Sequence, residues 1–187
     1  AVSALIQGND MPVGYDATDA AAVATAVLER TEVEAVGTVA SPLHGIAMPL
    51  DQVPDPGFAS GAVGKGIGIY PIEGVVRAPS SGKVVMTFPT GHAVGLKLDN
   101  GAELLVHIGI DTVNMKGEGF TVHVERGAQV KAGDPLVSFD RDAIEAAGYS
   151  PITPVLVTNH KKFADVEGAV VGPVDFGQQL LVLEDEA

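Results

Sequence analysis

Two of the five histidines, His92 and His107, sit on the arms of one apolar hairpin. The arms are Gly91-His92-Ala93-Val94-Gly95-Leu96-Lys97-Leu98 and Ala102-Glu103-Leu104-Leu105-Val106-His107-Ile108, and Asp99-Asn100-Gly101 joins them. Asn-Gly is the strongest short hairpin signal, because both turn residues must accept φ > 0. With Asn100-Gly101 as the turn, His107 is a diagonal neighbour of His92. With Asp99-Asn100 as the turn, the two face each other directly. Either register puts both imidazoles on one face, roughly 5–8 Å apart between Cβ atoms. A three-residue loop without a bulge would separate them, and so would a one-residue slip. Two imidazoles set among apolar residues on a stiff hairpin point to chemistry at imidazole nitrogen, as fit for a metal as for group transfer.

The body that positions this hairpin is rich in β-structure. The 187 residues suffice for one domain with an appendage and a sizeable core. Val, Ala, Ile and Leu supply most of the apolar content, Trp is absent, and 23 Gly and 12 Pro imply many turns. From Val36 onward, short strand-like runs are expected at 36–40, 44–48, 67–70, 74–77, 82–88, 93–98, 102–110, 121–124, 135–139, 152–158 and 179–183. Their spacing indicates an all-β antiparallel sandwich or barrel-sandwich. One short helix is expected over 141–147, with Asp140 as N-cap and Gly148 as stop. Residues 1–36 read as a linker or tail with one weak alanine-rich helix at 16–30, and 37–187 as the domain proper.

An internal repeat runs through the domain. Ser41-Pro42-Leu43-His44-Gly45 and Ala78-Pro79-Ser80-Ser81-Gly82 share a small-Pro-x-x-Gly pattern. Ala132-Gly133-Asp134-Pro135-Leu136 and Phe176-Gly177-Gln178-Gln179-Leu180 share a second pattern. The expectation is a duplicated β-unit with its halves packed face to face.

A net charge of −13 argues against a nucleic-acid or anionic-membrane partner and is compatible with a basic protein partner. Without cysteine there is no disulfide, no thiolate zinc site and no thiol nucleophile. No signal peptide and no apolar run of about 18 residues is present. The chain begins with Ala1 rather than Met, which suits a piece of something longer.

Gly101-x-x-Leu104-Leu105-Val106-His107-Ile108-Gly109-Ile110-x-Thr112-Val113 resembles the signature of the glucose-family enzyme IIA domains of the bacterial phosphoenolpyruvate-dependent sugar phosphotransferase system. Lys116-Gly117-Glu118-Gly119-Phe120, Val53-Pro54-Asp55 with Phe58, Thr90-Gly91-His92-Ala93, Gly133-Asp134 and Thr153-Pro154-Val155 agree with it. The resemblance covers about Val36 to Leu183. It implies a β-sandwich with a shallow apolar site and a phosphoacceptor histidine, here His107. It also implies phospho-HPr as donor and a IIB-domain cysteine as acceptor, for sugar uptake and phosphorylation, with no metal and no cofactor.

The resemblance gives His92 the task of steadying a phosphoryl oxygen, and Thr90 that of holding the far nitrogen of His92. Val53, Phe58, Leu105 and Ile108 would form an apolar rim for partners, and Asp55 and Asp111 would pair with a partner's basic residues. A IIC membrane domain in the same full-length chain would tether the domain, without inserting it, at the cytoplasmic face of the membrane. Two departures stand out. Val94 replaces a usual Phe, read as an aromatic lost near the site, and Leu105 replaces another. His44, His123 and His160 carry no motif and read as surface or strand-edge residues.

Three other readings compete. His107-Ile108-Gly109-Ile110-Asp111 has the His-x-x-x-Asp spacing of zinc hydrolases on related folds, but no His-x-His exists to complete the site. A biotinyl or lipoyl carrier needs a hairpin-tip lysine between methionines, and Val113-Asn114-Met115-Lys116-Gly117 is a poor match. A regulatory phosphohistidine protein on the same scaffold would share every motif. The sugar is not encoded in this chain.

Overall fold

A computed structural model describes residues 37–184. The linker and helix expected within 1–36 lie outside the described residues. Among the described residues, fourteen strands, two short helices and three 3-10 turns follow in order. The strands are β1 Thr38–Ala40, β2 Gly45–Pro49, β3 Lys65–Pro71, β4 Val75–Arg77, β5 Gly82–Thr87, β6 Ala93–Leu98 and β7 Glu103–His107. They continue with β8 Phe120–Val122, β9 Gln129–Val130, β10 Pro135–Phe139, β11 Thr153–Val157, β12 Asp165–Gly168, β13 Gly172–Val174 and β14 Gln179–Glu184. The helices are α1 Pro56–Ala59 and α2 Arg141–Ala146. The α2 helix forms as its caps dictate. Asp140 accepts the Ala143 N–H at 3.1 Å, and Gly148 has a φ of 89° just past its end.

All pairings are antiparallel. One sheet has the order β13-β2-β3-β11-β7-β6-β5-β9, and two smaller ones have the orders β1-β14-β12 and β4-β10-β8. The order is palindromic, which is the repeat made visible. The first half uses β1, β2 and β3 where the second uses β4, β5 and β6. Gly177 N–H donates to the Ser41 carbonyl and Ser41 N–H to Gln178, at 3.0 and 2.7 Å. Gly133 N–H and Ala78 N–H repeat the pair with Ala78 and Asp134, at 2.9 and 2.8 Å. The two sequence patterns therefore recur because each copy of one bonds a copy of the other. The halves bury one common core, in which Leu96 and Val106 of one lie in the same cluster as Ile69 and Ile67 of the other. They also join edge to edge, where Val106 of β7 opposes Val155 of β11.

The core is aliphatic. Val94, Leu96, Leu104 and Val106 of the hairpin are buried, alongside Ile67, Ile69, Val155 and Val157 from the other half. Val94 points into this core with no exposure, so its departure from the family pattern is not at the site.

The hairpin register differs from both expected ones. Ala93, not His92, opposes His107. Leu98 N–H donates to Ala102 and Gly101 N–H to Leu98, both at 2.9 Å, and Gly101 has a φ of 96°. This is a three-residue loop closed by a left-handed glycine, which the two-residue turn reading missed. Strict alternation would now put the two histidines on opposite faces. They nevertheless meet, because His92 precedes the first ladder residue of β6. Gly91, at a φ of 70°, redirects the chain there. Strand register alone does not set their spacing.

Candidate active site

His107 is the last residue of β7 and stands on the outward face with Leu105, opposite Ala93 and Gly95. Those small partners leave the ring in a shallow setting. Its Nδ1 lies 2.7 Å from the Gly109 carbonyl oxygen. A carbonyl only accepts, so the proton sits on Nδ1 and the Nε2 lone pair is bare. The His92 ring packs edge-on against it, with centroids 5.1 Å apart and planes at 73°. Thr90 Oγ1 is 2.6 Å from His92 Nδ1, which leaves His92 Nε2 at the far side of the ring. Thr90, His92 and His107 are thus brought together as a set.

Both imidazoles titrate below the ordinary 6.5. For His107, burial outweighs the Gly109 bond and the charges of Asp55 and Asp111, which act in the opposite direction. For His92, burial leads and the neighbouring His107 adds to it. At neutral pH both rings are uncharged.

An overhanging loop covers one side of the site. It leaves β2, passes through the 3-10 turn Leu50–Gln52 and α1, and rejoins at β3. Asp55 caps α1, accepting the N–H groups of Gly57 at 2.8 Å and Phe58 at 3.3 Å. That cap presents the Phe58 ring to His107, with centroids 4.9 Å apart and planes at 52°. The loop is seated by Val53, whose Cγ2 fills the space a Cβ on Gly68 would need, 2.6 Å away.

The expected rim needs correction. Val53 and Ile108 are 3% and 0% exposed and offer no surface to a partner. Phe58 and Leu105 are half-buried and remain at the surface. Asp111 is exposed, whereas Asp55 spends one carboxylate oxygen on its cap. His44 is also more buried than expected. Its side chain is 15% exposed between Glu73 and Asp175, at 3.5 and 3.1 Å. His123 is exposed and shares a 2.7 Å hydrogen bond with Ser138.

Two neighbours went unread in the sequence. Phe88 stacks against His92 with centroids 4.9 Å apart, and Gly109 supplies the carbonyl on His107. The first had no signal beyond proximity to Thr90. The second is inherent in a glycine two residues after the histidine. No group of three metal-ligating side chains gathers among the described residues.

Comparison with known proteins bears on the same segment. A family model described as phosphoenolpyruvate-dependent sugar phosphotransferase system, EIIA 1, matches residues 37–163. A mannose-specific EIIBCA component of that system from Corynebacterium glutamicum is 55% identical over 130 residues, 70% of this chain and 19% of the relative. A β-glucoside-specific EIIBCA component from Halalkalibacterium halodurans is 45% identical over 163 residues, 83% of this chain and 26% of the relative. This chain therefore spans about a fifth to a quarter of these relatives. The glucose permease IIA structure from Mycoplasma capricolum superimposes with a TM-score of 0.69 at 35% identity, covering 78% of this chain and 94% of that one.

Proposed function

This chain belongs to the EIIA 1 family of the phosphoenolpyruvate-dependent sugar phosphotransferase system, and we propose that His107 Nε2 is the atom that carries its phosphoryl group. In the first step the N–P bond of the HPr phosphohistidine breaks as the Nε2–P bond forms on His107. In the second, Nε2–P breaks as an S–P bond forms on a IIB-domain cysteine thiolate. No water enters either step.

The observation that carries this reading is the bond from His107 Nδ1–H to the Gly109 carbonyl. It leaves a neutral ring with its nucleophilic lone pair on Nε2. Phosphoryl transfer passes through a loose transition state, so the protein's work is positioning and charge stabilisation on the equatorial oxygens. A Thr90 hydroxyl donating to His92 Nδ1 keeps the His92 proton on Nε2, from which it is donated to one such oxygen. Phe58 and Leu105 keep water from the phosphoramidate. They extend, with exposed Val85 and Met86 on β5, an apolar face for docking. Asp111, with the free oxygen of Asp55, meets basic residues of a partner.

The domain is 37–187, and 1–36 links it to IIB and IIC domains of a longer permease, which hold it at the cytoplasmic face of the membrane. The test is incubation with phosphoenolpyruvate, enzyme I and HPr. His107→Ala should take up no acid-labile, base-stable phosphate, and full labelling of that variant would sink the assignment. His92→Gln should still be labelled but pass phosphate to IIB at least about tenfold more slowly. Equal transfer would remove the role given to His92.

A further inference from the structure

Resting on the assignment of His107 as phosphoacceptor, we infer that Thr112 is a positioning residue that holds His107 in its reactive tautomer by fixing the Gly109 carbonyl. Thr112 is fully buried, five residues beyond His107, and opens the 3-10 turn Thr112–Met115. Its side chain grips the intervening backbone at two points. The hydroxyl donates to the Ile108 carbonyl. The methyl lies over Gly109, where a Cβ would come within 2.5 Å of it and within 2.9 Å of the Ser150 carbonyl.

The peptide between Gly109 and Ile110 is then held at both ends. Its oxygen accepts from His107 Nδ1 at 2.7 Å, and its N–H donates to the Ser150 carbonyl at 2.9 Å. The chain reaches this shape only by taking left-handed backbone at Gly109, φ 77°, and again at Asp111, φ 60°. Asp111 is one of two non-glycine residues with positive φ among those described. Such a turn does not persist without groups that hold it. The Thr112 hydroxyl is the side-chain group that does so, and no partner, metal or substrate need touch it.

Without that hydroxyl, the Ile108 carbonyl loses its side-chain donor, and only the bond from Ile110 N–H to Ser150 still aims the Gly109 carbonyl at His107. The proton then distributes between Nδ1 and Nε2, and protonated Nε2 cannot attack phosphorus. Thr112→Val removes the hydroxyl at nearly constant shape, and Thr112→Ser keeps it. Imidazole nitrogen shifts of His107 at alkaline pH report the tautomer directly. In Thr112→Val they should move toward a mixture while those of His92 stay put. Acceptance from phospho-HPr should slow roughly 10- to 100-fold, the cost of misplacing a reacting group slightly. Thr112→Ser should restore both readouts.

A Thr112→Val protein with wild-type His107 shifts and rate overturns the inference. So does impairment of Thr112→Ser, which keeps the hydroxyl and loses the methyl, because methyl packing would then be what holds the turn. If Thr112→Val fails to fold, the serine variant still decides, because it must match wild type in tautomer and rate. Labelling of His107→Ala would overturn the phosphoacceptor assignment instead, and leaves the tautomer shifts as a separate result.

Discussion

At the scale of the residue, burial governs the protonation of both imidazoles. Burial pushes both below 6.5, and for His107 it does so against the Gly109 carbonyl, Asp55 and Asp111. In the proposed transfer a neutral His107 is the competent nucleophile, and burial favours that neutral form. The linked stability has a definite sign. In the unfolded chain each imidazole takes up a proton as pH falls through about 6.5, whereas in the folded chain uptake waits for lower pH. Stability is therefore fully present above 6.5 and declines as pH falls from there toward the folded values. Proton NMR titration of the folded protein should place both midpoints below 6.5, and a midpoint at or above it would contradict the burial argument. Denaturant titrations should also show His107→Ala losing less stability than wild type between pH 7 and 5.

At the scale of the element, the loop between β2 and β3 matters as much as the hairpin. Two small features seat it over His107. Gly68 leaves room for Val53, and Asp55 caps the single turn that carries Phe58. The resemblance casts Val53 and Asp55 as partner contacts, but burial and hydrogen bonding give them structural duties. Asp55→Ala should cost about 1 kcal/mol of stability, the worth of an N-cap. Asp55→Asn should retain most of it while removing the charge. Thermal unfolding of the pair separates the two contributions, and equal losses would mean that the cap is not what Asp55 provides. The helix over 141–146 and eleven of the strands were legible because caps and apolar alternation are local. Strands β9, β12 and β13 and helix α1 were not. At two to four residues each, they form only because a neighbour pairs with them or a cap seeds them.

At the scale of the molecule, duplication builds the frame and only one half carries the histidine pair. Gly45 opposes Pro71 in the first half as Gly82 opposes Leu98 in the second. Counting back six residues from each makes Lys65 the counterpart of His92. By the same pairing Leu156, opposite Gly66, is the counterpart of His107, opposite Ala93. Leu156 is fully buried, so the first half has a covered apolar contact where the second has the His107 ring. The two glycines share one reason to exist. A Cβ on Gly45 would lie 2.2 Å from the Tyr70 carbonyl oxygen, and on Gly82 2.4 Å from that of Lys97. Gly45→Ala and Gly82→Ala should each destabilise the fold by about 1–3 kcal/mol, the usual cost of overpacking. Chemical denaturation should give similar values for both. A large loss in one alone would show that the halves do not bear the same strain.

The sequence by itself determined the family, the β-rich class, the repeat and the identity of the histidine pair, because these reside in residue types at short, regular spacing. Tertiary structure decided the rest. The left-handed Gly101 selected a hairpin register that alternation alone would have made useless, and the break at Gly91 restored the meeting of His92 and His107. Which nitrogen of His107 is bare depends on a carbonyl aimed by a left-handed turn. No pattern of side chains states the direction of a carbonyl, because backbone geometry there is set by the packing of Thr112 and the carbonyl of Ser150 from elsewhere in the fold.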